Sequence, residues 1–114
     1  MADGNLFDIS LKDISPDKEL FQDLFKSGNV RIERIVSRGH TSPEDYWYDQ
    51  DEDEWVALLT GEAEILFEDG GCEKLSAGDY LFIPANKRHR VISTSEDPPA
   101  LWLAVFINPK DHDK

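Results

Sequence analysis

The sequence predicts a mostly β chain, a small antiparallel β-barrel with one N-terminal helix. Three observations carry that expectation. From Asn29 onward, short Val- and Ile-rich runs are separated by turn signals such as "TG", "EDGG" and "PANK". Before Asn29 lies a single stretch with helical spacing, "SPDKELFQDLFKSG". The last run, "LWLAVFI", is apolar on both faces and so asks for cover on both. Many short strands at turn spacing point to a sandwich or barrel, and 114 residues suit one core. The chain divides into an N-terminal strand and helix packing on the barrel (1–28), the barrel itself (29–109) and a polar tail (110–114).

Taken in order, "LFDISL" is a short apolar start. Ser15 can cap the following helix, Pro16 suits its first position, and Asp17 and Glu19 complement its dipole. Leu20 with Leu24 and Phe21 with Phe25 form two i,i+4 apolar pairs, and Gly28 ends the helix. "VRIERIVS" reads as the first barrel strand. "EWVALL" and "EAEILFE" flank "TG" as a hairpin, with Ala63, Ile65 and Phe67 on one face of the second arm. "DYLFIP" and "RHRVIS" follow, and "LWLAVFI" closes the barrel.

Charge excludes whole classes of partner. Twelve Lys and Arg against twenty-four Asp and Glu give a net charge of −12, which repels nucleic-acid phosphates and anionic membrane surfaces. No run approaches the ~20 apolar residues of a membrane span. The opening "MADGNLFDIS" lacks the basic and apolar regions of a signal peptide. The single Cys72 offers no intrachain disulfide. A cytoplasmic protein is the expectation.

The most conspicuous stretch is "WYDQDEDEW", residues 47–55. Asp49, Asp51 and Asp53 imitate the opening of an EF-hand loop, but the sixth and twelfth loop positions hold Glu54 and Thr60 instead of glycine and glutamate. The calcium reading fails. If a strand starts near Glu54, that carboxylate shares a face with Val56 and Leu58 and is drawn inward, where it needs a partner. Asp51, Glu52 and Asp53 read as turn residues in water. In "GDYLFIPANKRHR", His89 alternates with Arg88 and Arg90, so the imidazole faces inward. It is a candidate ligand or base, and equally a core histidine bonded to backbone.

Together the two segments resemble the cupin superfamily. Its first motif ends in a glutamate, six residues and a glycine, as Glu54 and Gly61 do here. Its second runs glycine, five residues, proline, one residue, glycine, two residues, histidine. Gly78, Pro84, Asn86 and His89 keep that spacing, with Asn86 in the glycine's place, since asparagine also tolerates positive φ in a turn. Ser93 replaces a final asparagine. The resemblance implies a cupin or jelly-roll barrel holding a metal with His, His, Glu and His. Glu54 takes the glutamate position and His89 the last histidine. The two histidines of the first motif are absent, and Tyr48 and Gln50, or in the alternative register Trp47 and Asp49, stand in their places. Tyr48 and Gln50 carry oxygen donors, so the candidate metal set is Tyr48, Gln50, Glu54 and His89. Such a set suits a divalent Mn, Fe, Zn or Ni ion.

The function so implied is a small single-domain cupin that binds a divalent metal and a small polar molecule, with dioxygenase, isomerase or lyase chemistry assisted by the metal. The alternative is a non-catalytic ligand-binding module or a metal-free structural barrel. A homodimer through an exposed "LWLAVFI" edge is consistent with each. His40 reads as an exposed loop residue or an extra ligand at the barrel mouth, and His112 as part of the polar tail.

Overall fold

Two antiparallel sheets enclose the apolar core. The structure, a computed structural model, describes residues 2–109. Eight strands follow a short 3-10 turn at Leu11–Asp13: β1 (Leu20–Ser27), β2 (Val30–Ser37), β3 (Asp53–Thr60), β4 (Glu62–Phe67), β5 (Cys72–Ser76), β6 (Tyr80–Ile83), β7 (His89–Thr94) and β8 (Ala100–Ile107). One sheet has the order β1-β2-β8-β3-β6 and the other β5-β4-β7. The sheets are separate, so among the described residues the fold is an open sandwich and not a closed barrel. The tail at 110–114, including His112, lies outside the described residues.

The expected helix is instead β1. Leu20–Ser27 pairs antiparallel with β2, with Leu20 opposite Val36 and Ser27 opposite Val30. The i,i+4 apolar pairs satisfied a helical template, but local propensity is a weak prior against a long-range ladder. The residues that turn the chain are Gly28 and Asn29. Gly28 sits at φ 55°, the left-handed conformation that a helix stop and a two-residue hairpin both demand. The expected helix stop at Gly28 is instead the turn of a β1–β2 hairpin. No α-helix is present among the described residues, and none there is long and apolar enough to cross a membrane.

A second correction concerns "TG". β3 and β4 lie in different sheets and do not pair, so Thr60-Gly61 is a corner between the sheets. Gly61 has φ 80°, and a Cβ there would lie 2.7 Å from the Pro99 carbonyl oxygen. No side chain fits such an approach, which is why glycine stands at this corner.

"LWLAVFI" forms the central strand β8, paired with β2 on one side and β3 on the other. It is not an exposed edge. Trp102, Ala104 and Phe106 point into the core with Val56, Leu58, Ile65 and Ile83. On the outer face, Leu101 and Val36 are covered by Ile14, with Ile9, Leu20 and Leu59 packed beside them. The cover that the two-faced pattern demanded is therefore the N-terminal segment.

That segment is strapped down by polar groups. The Arg34 guanidinium points to the outer face, and its Nη1 donates to the carbonyls of Asn5, Leu6 and Asp8, each at 3.1 Å, while Nε donates to Gln22 at 2.7 Å. His40 supplies a second strap. Its Nδ1 accepts from the Arg38 amide at 2.8 Å and its Nε2 donates to the Ser15 carbonyl at 2.9 Å. Both ring nitrogens are committed to backbone and the residue is buried. His40 is thus neither an exposed loop residue nor a group at the site.

Candidate functional site

Between the sheets lies an open-mouthed cavity of about 90 Å³. Its floor is apolar, built from Val56, Ile65, Ile83, Val91, Trp102 and Phe106. Its polar pole is Glu54, His89, Gln50 and Tyr48. Trp47 and Asp49 do not line it.

Strand register explains each position. Glu54 sits on β3 opposite Phe106 of β8 and Ile83 of β6, so alternation with Val56 and Leu58 turns it inward. His89 opens β7 opposite Phe67. Ahead of β3, Tyr48 is bridged to His89 by two backbone hydrogen bonds, Tyr48 N–H to the His89 carbonyl at 2.8 Å and the reverse at 3.2 Å. Their rings stack with centroids 5.6 Å apart. The Gln50 carbonyl accepts from the Asn86 amide at 2.8 Å. Asn86 has φ 66°, the left-handed turn that the glycine of the motif would otherwise adopt.

The acidic run does more than face water. The Asn86 side-chain amide donates to Asp49 and Asp51, Asp53 accepts from the Ala85 amide at 2.8 Å, and Glu52 pairs with Arg31 at 3.0 Å. Asp49, Asp51 and Asp53 clamp the turn before His89 onto the start of β3, while Glu52 ties it to β2. Through that clamp the acidic run sets the spacing of Glu54 and His89.

At the pole, Gln50 Nε2 donates to Glu54 Oε1 at 3.0 Å. His89 Nδ1 lies 2.9 Å from the Lys87 carbonyl. A carbonyl cannot donate, so the neutral ring carries its proton on Nδ1 and presents a bare Nε2, 3.7 Å from Glu54 Oε1. Burial raises the Glu54 pKa from its ordinary value to about 7, against the lowering effect of the Gln50 hydrogen bond. Burial also lowers the His89 pKa, opposed by its bond to the Lys87 carbonyl. Near neutral pH the pair therefore holds a carboxyl poised to lose a proton beside an imidazole able to accept one. The Tyr48 phenol is pushed upward, first by burial and then by the Glu19 and Tyr46 charges, which keeps its proton on.

Two acidic lining residues were not singled out by the sequence. Glu33 lies on β2 in the same inward row as Ile35, and Glu19 lies just before β1. Alternation with Ile35 was the available signal for Glu33. Glu19 had none, because it was read within a helix.

The donor chemistry tests whether this pole suits a metal. Among the described residues, no three His, Cys, Asp or Glu side chains stand close enough to share an ion. Glu54 and His89 are two strong donors, where protein zinc sites use three or four. The Gln50 amide directs its donor nitrogen at Glu54, and burial keeps the Tyr48 phenol protonated. The residues present do not fit a tightly held divalent ion.

Comparison with known proteins fits the geometry. The chain matches the Cupin domain family over residues 33–106. It is similar to a Ralstonia eutropha JMP134 protein described as a "putative mannose-6-phosphate isomerase", with 41% identity over 95% of this chain and 99% of that one and a TM-score of 0.85. An RmlC-like cupin protein from Desulfovibrio desulfuricans shares the fold at 18% identity, 96% and 97% coverage and a TM-score of 0.72. So does a cupin superfamily protein from Desulfitobacterium hafniense DCB-2, at 22% identity, 82% and 81% coverage and a TM-score of 0.68. No curated protein matches the chain. With the family match spanning most of the strands and both motif spacings built into one cavity, this chain belongs to the cupin superfamily.

Proposed function

We propose that this cupin binds a small molecule in its cavity and moves a proton on it with Glu54 and His89, without a resident metal. The observation that carries the reading is the pair itself. An acid raised to about 7 and a bare imidazole nitrogen stand 3.7 Å apart, too far to bond each other and close enough to reach one ligand atom or its neighbour. Such a pair suits isomerase chemistry, in which one group removes a proton beside a carbonyl and the other returns it at the next atom. Gln50 orients the carboxyl, the Lys87 carbonyl holds the histidine tautomer, and the apolar floor keeps both pKa values displaced.

The name of the Ralstonia relative belongs to the same reaction class. A phosphorylated sugar is a poorer match than the reaction, because no Lys or Arg lines this cavity among the described residues. The divalent Mn, Fe, Zn or Ni ion expected from the cupin motifs is the second reading, supported by Glu54 and His89 sharing one pole and weakened by the missing third strong donor.

Solvent-deuterium wash-in separates the two. Small neutral and amino-substituted aldehydes and ketones are incubated with protein in D2O, with and without EDTA, and their C–H signals followed by NMR. Exchange that survives EDTA and is lost in both Glu54→Gln and His89→Asn is the expected result. Exchange retained in both variants overturns the proposal. One metal per chain, lost in Glu54→Ala and His89→Ala, establishes the metal site in its place.

A further inference from the structure

The cavity combines three features that together specify the charge of its occupant. First, its charged lining residues are all acidic: Glu19, Glu33 and Glu54, with no Lys or Arg among the described lining residues. Glu33 is balanced by Arg31 at 3.2 Å, whose guanidinium lies 4.3 Å from the Phe106 ring centroid. Glu19 accepts a hydrogen bond from Ser37, and Glu54 accepts one from the neutral Gln50. Neither of these two carboxylates is paired there with a cation. Second, Phe21, Tyr48, Trp102 and Phe106 line the same space, and aromatic faces attract cations and repel anions. Third, His89 is 5% exposed and lines the cavity, and with its proton on Nδ1 its Nε2 is an acceptor that a ligand's N–H can meet.

We propose that the ligand of this cavity is a small organic cation, a primary amine or ammonium compound with an apolar body. This rests on the cavity's being a ligand site and adds the chemical class. The ammonium group would sit between Glu19 and Glu54 and donate to His89 Nε2, while the apolar body packs on Val56, Ile65 and Trp102. A carboxylate or phosphate in the same place would face like charge on two sides and leave Nε2 without a donor. The Glu33 and Glu52 charges disfavour ionised Glu54, and a cation beside it opposes them.

The test uses three probes of one shape: benzylamine, benzyl alcohol and benzoate, titrated calorimetrically into the full chain at pH 7 and low salt. Benzylamine is expected to bind at least tenfold more tightly than the alcohol, with no detectable heat from benzoate. Glu19→Gln is expected to weaken benzylamine severalfold and leave the alcohol unchanged. That comparison also shows that the variant is folded. Equal affinity for amine and alcohol overturns the cation assignment while leaving a ligand cavity in place. Tighter binding of benzoate overturns it as well. Silence from all three probes removes the ligand cavity and the cation with it.

Discussion

Glu54 shows how much one strand position decides. The residue is 8% exposed, and burial raises its pKa from 4.5 to about 7. Between those two values the folded chain binds more protons than the unfolded one, so folding stability falls as pH rises from 4.5 towards 7 and stays low above it. The shift corresponds to roughly 3 kcal/mol at ~1.4 kcal/mol per pKa unit. Glu54→Gln keeps the shape and removes the ionisation. It should flatten the pH dependence over that window and raise the denaturation midpoint at pH 8, as read from urea melts at pH 5 and pH 8. An unchanged slope would show that Glu54 ionises freely in the fold. His40 makes the opposite kind of contribution. With both nitrogens bonded to backbone, His40→Ala should cost about 1–3 kcal/mol and loosen the N-terminal segment. Proteolysis with mass spectrometry, finding new cuts before Leu20, checks the second effect. The parity of Glu54 and His89 was legible from alternation with Val56 and Val91, whereas the backbone partners of His40 were not, because Ser15 is far from it in sequence.

Among the elements, the corner at Gly61 and strand β1 are the informative ones. Gly61→Ala would put a methyl 2.5 Å from Ser95 Oγ and 2.7 Å from the Pro99 carbonyl, at a φ that L-residues rarely adopt. A loss of roughly 2 kcal/mol or more is expected, with the core otherwise intact. Gly70→Ala is the matched control. Gly70 also has positive φ (100°) but nothing lies within 4 Å of its added Cβ, so a smaller loss in thermal melts isolates the steric part. If the two variants melt alike, close approach is not what holds Gly61. β1 carries the opposite lesson. Its apolar residues satisfy a helical period, yet Gln22 meets Arg34 and seven residue pairs join it to β2. Pairing partners lie outside any local window, so the helix template competed without its rival in view.

At the scale of the whole molecule, the N-terminal segment completes the sandwich. Ile9 and Ile14 cover Leu101 and Val36, and Arg34 gathers three carbonyls from residues 5–8. The outer face of the five-stranded sheet is thus closed within one chain near Leu101. This alters the homodimer expected from the sequence, since β8 is central and offers no edge. A dimer, if sedimentation velocity detects one, has the exposed Leu24 and Phe25 of edge strand β1 to bury. Phe25→Glu would then shift it to monomer. Dimer unaffected by that change would place the interface elsewhere.

Alone, the sequence determined the family and the facing of its two decisive residues. Motif spacings survive as turns, Gly61 and Asn86 at positive φ, and strand alternation turns Glu54 and His89 inward. Both are local properties, set by period two and by which residues tolerate a left-handed backbone. Tertiary structure decided the rest. It made a strand of residues 20–27, split the barrel into two sheets, turned the acidic run into a clamp and brought Glu19 and Glu33 to the cavity wall. Each of those outcomes depends on partners distant in sequence, and the free energy of pairing and burial is settled only when those partners meet.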